Sequence, residues 1–156
     1  MTFSVFIISS MTDSETVNEL KRVLNQYGIQ TYTSHDFTNN TNLVNSVRTT
    51  IMNSDCILAI ITRDSKQSRN VDFQIGVATG SHKLIIPIIE KGSEIPRILD
   101  NMQYIEIDKQ YPKLSYERAA KYLSGLKIEK ENRSTIGGLL LLGLGLVLLG
   151  ALASGD

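Results

Sequence analysis

The stretch Asn70-Val-Asp-Phe-Gln-Ile-Gly-Val-Ala-Thr-Gly80, followed at once by Lys83-Leu-Ile-Ile-Pro-Ile-Ile89, decides the fold. Val71, Ile75 and Ala78 recur at helical spacing, and Phe73 and Val77 widen the apolar face. Gly80 stands where a helix C-terminus favours glycine. The second run is apolar, of strand length, and ended by charge and glycine. A helix therefore feeds a buried strand. On that helix Gln74 is polar, and the neighbouring Gly76 and Ala78 are expected to leave room beside its amide.

The same alternation extends in both directions. Upstream, Phe3-Ser-Val-Phe-Ile-Ile8 reads as a strand. Thr12 with Glu15 gives a capping-box signature, and Val17, Leu20, Val23, Leu24 and Tyr27 form a helical face that Gly28 closes. A short strand over 29–32 leads into a polar loop at 33–41, in which Phe37 is the apolar exception. Leu43, Val44, Val47 and Ile51 mark a second helix, and 55–62 is an apolar and therefore central strand. Downstream come a short helix at 95–99, a strand at 102–107 and a helix begun by Pro112, with Tyr116, Ala119, Ala120, Leu123 and Leu126 on its inner face. Strands alternating with helices imply a parallel α/β sheet covered on both faces. Ligands of such sheets bind outside the carboxyl ends of the strands. Those ends carry Ser9, Ser10, the 33–41 loop, residues 62–64 and the start of the Gln74 helix.

The chain has 156 residues, 42% hydrophobic and 21% charged, with zero formal net charge. That fits one domain over 1–128, a charged linker at 129–133 and a hydrophobic tail helix at 134–156. Balanced charge argues against a nucleic-acid partner. Cys56 is the only cysteine and reads as a buried structural thiol. No histidine–cysteine–carboxylate cluster suggests a metal, and no glycine-rich cradle suggests a Rossmann cofactor site. From 134 to 155 no residue is charged, and such a helix would reach about 33 Å, enough to span a bilayer's hydrocarbon. A membrane anchor with the domain in the cytoplasm is expected, since no cationic leader opens the chain. The other reading is an assembly helix docked on a second protomer.

Ser4-Val-Phe-Ile-Ile-Ser-Ser10, Gly28-Ile29, Asn53-Ser-Asp55, Val71-Asp-Phe-Gln-Ile-Gly-Val-Ala78 and Lys83-Leu-Ile-Ile-Pro-Ile88, in that order, resemble a prokaryotic TIR domain over about residues 2–126. The resemblance implies a flavodoxin-like fold and, in many members, cleavage of NAD+ at the nicotinamide–ribose bond. NAD+ is then a substrate, with no resident cofactor. In antiviral systems of the Thoeris kind the product is an ADP-ribose-derived signal for a separate effector. The family's catalytic glutamate falls at Gln74, and an aromatic residue common in the family falls at Asn70. By the same likeness Ser9 and Ser10 lie near the adenine-side ribose and phosphates. Phe37 covers nicotinamide or anchors a neighbouring protomer, and Arg63 or Arg69 reaches the diphosphate. A turn cluster, a loop anchor and surface arginines are the bland alternatives. The likeness also implies homo-oligomers in which a neighbour's 33–41 loop closes the pocket.

Glutamate stabilises the positive charge that develops on ribose as nicotinamide leaves. Glutamine keeps the shape and the hydrogen bonds but neither the charge nor the proton-accepting power. Binding without turnover is the expected outcome. Catalysis has been lost to leave an adaptor that signals by assembly, or a glutamate has been exchanged for its isostere; the close match in shape favours exchange. A nucleoside deoxyribosyltransferase-like enzyme is the third reading.

Overall fold

A computed structural model of the chain describes residues 3–37, 42–65 and 68–132. Five strands, β1 (Ser4–Ile8), β2 (Gln30–Thr33), β3 (Cys56–Ile61), β4 (Ile85–Glu90) and β5 (Ile105–Ile107), form one sheet in the order β2-β1-β3-β4-β5. Every pairing is parallel. Between them run α1 (Ser14–Gln26), α2 (Leu43–Asn53) and α3 (Arg69–Gly80), with α4 (Pro112–Asn132) after β5. This is the flavodoxin-type α/β fold, whose strand order reverses between β1 and β3.

The two-residue period of the strands builds two cores. Val5, Ile7, Leu58, Ile60, Ile86 and Ile88 face α1 and α4. Phe6, Ile8, Ile57, Ala59, Ile61, Ile85 and Ile89 face α2 and α3. β3 and β4 are buried along their whole length, as unbroken apolar runs in a doubly covered sheet should be. Pro87 lacks an N–H, yet it is tolerated in β4 because the β5 pairing begins only at Ile88.

α4 begins at Pro112 and buries Tyr116, Ala119, Ala120, Leu123 and Leu126. Each of its two buried leucines contributes about 1.5–3 kcal/mol. Residues 129–132 continue the same helix, so the charged run is its last turn and not a separate linker. There Lys130 pairs with Asp55, whose other oxygen accepts the Ser4 backbone N–H at 2.7 Å. Among the described residues no helix is long and apolar enough to cross a membrane. The tail at 134–156 lies outside them.

Several local expectations change. Thr12 does not cap α1, because its hydroxyl engages Ser10 at 2.6 Å and a 3-10 turn at Met11–Asp13 precedes the helix. α3 is capped by Ser68, which accepts the Val71 N–H. Its end is turned by His82, at φ 55°, and not by Gly80. Phe73, Leu43 and Val44 remain exposed, so the apolar faces of α2 and α3 are narrower than their sequences suggest. Gly76 is exposed, with open space where a Cβ would stand, and makes no room for Gln74. The segment expected as a helix at 95–99 is a 3-10 turn at Arg97–Leu99.

Candidate functional site

At the carboxyl edge, the ends of β1 and β3 are tied by one buried carboxylate. Ser9 and Ser10 follow β1 directly and are both buried. Ser10 Oγ donates to Asp13 Oδ2 at 3.0 Å, and Thr62 Oγ1, just past β3, donates to Asp13 Oδ1 at 2.8 Å. Ser65 turns back to accept the Thr62 N–H at 2.7 Å and donates to the Thr62 carbonyl. Each of these bonds crosses or braces the point where the strand order reverses, the place at which such sheets take ligands.

Gln74 belongs to the α2/α3 face. On α3 the buried positions Val71, Gln74, Ile75 and Ala78 follow the i, i+3, i+4, i+7 stripe. The amide thus occupies a position where packing alone selects an apolar side chain. It is only 4% exposed, and its Oε1 finds no hydrogen-bond donor among the described residues. A buried acceptor left without a donor costs roughly 1–3 kcal/mol. Phe37 is partly buried against the same core cluster, which includes Val71 and Ile75. Its loop is braced by Asp36, which accepts the Thr33 N–H at 2.8 Å and pairs with Lys21 at 3.6 Å.

The remaining candidates are placed differently. Asn70 is exposed in the first turn of α3. Arg63 leans toward the end of β4, where its Nε lies 3.8 Å from Glu90 Oε1. A Cβ added at Gly92, at φ 86°, would come within 2.7 Å of the Arg63 guanidinium. Phe37 and Gln74 therefore share one face, Ser9 and Ser10 lie at the strand reversal, and Arg63 is engaged by a carboxylate. Cys56 is fully buried, and burial, reinforced by Asp55, pushes its thiol far up, so it is no nucleophile.

Asp13 and Glu90 did not emerge from the sequence. Asp13 is hidden inside a helix-start pattern, and Glu90 reads only as the charge that ends an apolar strand. The signal available was their position after β1 and at the end of β4, on the edge that ligands approach. Among the described residues no group of three histidine, cysteine or carboxylate side chains is placed to hold a metal.

A parallel sheet in this order, polar along its carboxyl edge, defines a flavodoxin-like α/β domain. The chain belongs to the TIR domain family, whose model matches residues 5–122. No curated protein matches it in sequence. Among solved structures it is similar to the TIR domain of the Toll-related receptor TRR-2 from Hydra magnipapillata. That likeness has a TM-score of 0.65 and 24% identity, covering 77% of this chain and 97% of that one. It is also similar to the CMP N-glycosidase BcmB of Clostridium botulinum, at a TM-score of 0.55 and 17% identity over 71% of this chain and 95% of that one. At these identities both likenesses speak to the fold.

Proposed function

We propose that this TIR domain is built for N-glycosidic chemistry on NAD+, and that with Gln74 in the acid position it holds the dinucleotide without cleaving it. The observation that carries the reading is Gln74 itself, a hydrogen-bonding side chain kept in the buried stripe of α3 with its oxygen lacking a donor. Ribose hydroxyls would supply that donor. In the reaction, the C1′–N bond breaks and its electron pair passes to the pyridinium nitrogen, releasing neutral nicotinamide. A water or hydroxyl oxygen then bonds C1′ and gives up its proton. A carboxylate at position 74 would stabilise the positive charge on ribose, and an amide lowers turnover by about 10²-fold or more. BcmB, named for cleaving the N-glycosidic bond of CMP, lends support from the same class of bond. The reading extends to a prokaryotic defence role, with an ADP-ribose-derived signal passed to an effector and attachment to a membrane through 134–156.

The test is nicotinamide release from NAD+ by the assembled full chain. Gln74→Glu should restore it, and Gln74→Asp, one methylene shorter, should restore it poorly. Gln74→Ala should stay inactive and bind NAD+ more weakly than the parent chain. A Gln74→Glu protein that assembles, binds NAD+ and releases no nicotinamide overturns the enzyme reading. A second reading, a silent adaptor that signals by self-association, then leads. It is favoured by Val44 and Met52, apolar side chains exposed on α2, beside Phe73 of α3, which is part-exposed beneath Arg48.

A further inference from the structure

A cavity of about 490 Å³ opens between α1 and α4 at the carboxyl edge, on the sheet face away from α3. We propose that it is a binding site for a small organic ammonium ligand, of which a linear diamine is the simplest form. The volume falls in the range of roughly 300–1,000 Å³ that small-molecule sites occupy.

The direction of the hydroxyl protons sets what such a ligand must carry. Ser10 spends its one proton on Asp13, so in the Ser10–Thr12 pair it is Thr12 that donates. Thr62 donates to Asp13 as well. Thr12 and Thr62 both line the cavity, and with their protons turned inward they offer it lone pairs only. At these two hydroxyls a ligand has to bring the donors.

Glu90 points to the same chemistry independently. By the strand alternation it falls on the α1/α4 side, and it lines this cavity while only 5% exposed. Among the described residues its Oε2 makes no hydrogen bond. Lys109 Nζ stands 3.4 Å from Oε2 and Arg63 Nε 3.8 Å from Oε1, beyond the ~2.8 Å of a charge-assisted bond. Both cationic side chains are about two-thirds exposed, at 67% and 70%. A compact free ammonium reaches contact where these tethered groups stand off, and Lys109 is released to solvent.

The field agrees with the geometry. Asp13, Glu15, Glu19 and Glu90 line the cavity against Lys109 and Lys113. Tyr116, also in the wall, feels it: burial raises its phenol first, Thr16 beside it lowers it, and Glu19 and Glu15 raise it again. Burial resists a charge of either sign, and it is the Glu19 and Glu15 part of that shift that favours an ammonium. A neutral polyol would satisfy the lone pairs but gain nothing from the charge.

The full chain, titrated calorimetrically with 1,4-diaminobutane at fixed ionic strength, should give saturable binding, and 1,4-butanediol of the same length none. Lys109→Ala removes the cation that competes for Glu90 and should tighten binding about 3-fold. Lys113→Ala removes the same charge at a residue for which no ion pair to Glu90 is found among the described residues, and should do less. Glu90→Gln should weaken binding by ~30-fold or more. If that variant fails to fold, Glu15→Gln, on the exposed wall, supplies the acidic arm and should weaken binding about 2-fold. Equal binding of diol and diamine, no saturable binding, or equal effects of the two lysine variants overturns the proposal.

Discussion

Gln74 is a side chain that the fold holds at a cost. The helix stripe wants an apolar group there, and the amide oxygen is buried without a donor. Methionine has a similar helix propensity and reach, and carries no group that demands a hydrogen bond. Gln74→Met is therefore expected to stabilise the domain by about 1–2 kcal/mol, read as a higher urea midpoint at unchanged slope. A fall in midpoint would mean that the amide serves packing after all. A gain in stability from removing a polar group is the mark of a residue retained for something other than folding.

At the scale of the element, α3 and the α1–β2 turn treat glycine in opposite ways. Gly76 lies in mid-helix, exposed, with open space where a methyl would go, so Gly76→Ala should stabilise by about 0.5–1 kcal/mol. Gly28 has φ 73° and lies close to Lys127 Nζ, so Gly28→Ala should cost about 1–2 kcal/mol. Thermal midpoints of the two variants, moving in opposite directions, check both. The sequence made the helices legible through their buried stripes, and α4 most of all, since Pro112 and its five inner residues stand where the pattern puts them. The start of α1 was misread because Thr12 and Asp13 answer to Ser10 and to Thr62, the latter 49 residues away from Asp13. Local pattern carries no trace of that bond. Glu90 stayed hidden for a related reason, since its burial depends on α1, β5 and α4 closing around the end of β4.

Across the whole molecule, buried acids set the alkaline limit of stability. Burial is the first cause that raises Cys56, Tyr116 and Tyr122 above their ordinary values of 9.0 and 10.0, with Tyr122 reaching about 12. A raised folded-state pKa leaves stability intact below the unfolded value and erodes it above, because the unfolded chain then binds fewer protons. Urea midpoints should hold to about pH 9 and fall steadily toward pH 12, and Cys56→Ala should delay the onset by about one unit. The alternation of helices with strands in a doubly covered parallel sheet was readable from the 70–89 stretch outward, because apolar period and length are written in the chain itself. The flavodoxin-like fold and the family came instead through the resemblance of five motifs to TIR domains. The amino edge of the sheet offers a different lesson. There the pairing of Lys130 with Asp55, and of Asp55 with Ser4, brings the close of α4 beside the start of β1. The last turn of α4 thus lies at the pole opposite the edge where Ser10, Asp13 and Thr62 meet. Copies of the domain held by the end of α4 on one surface would all turn the carboxyl edge and its cavity away from that surface, free of the support.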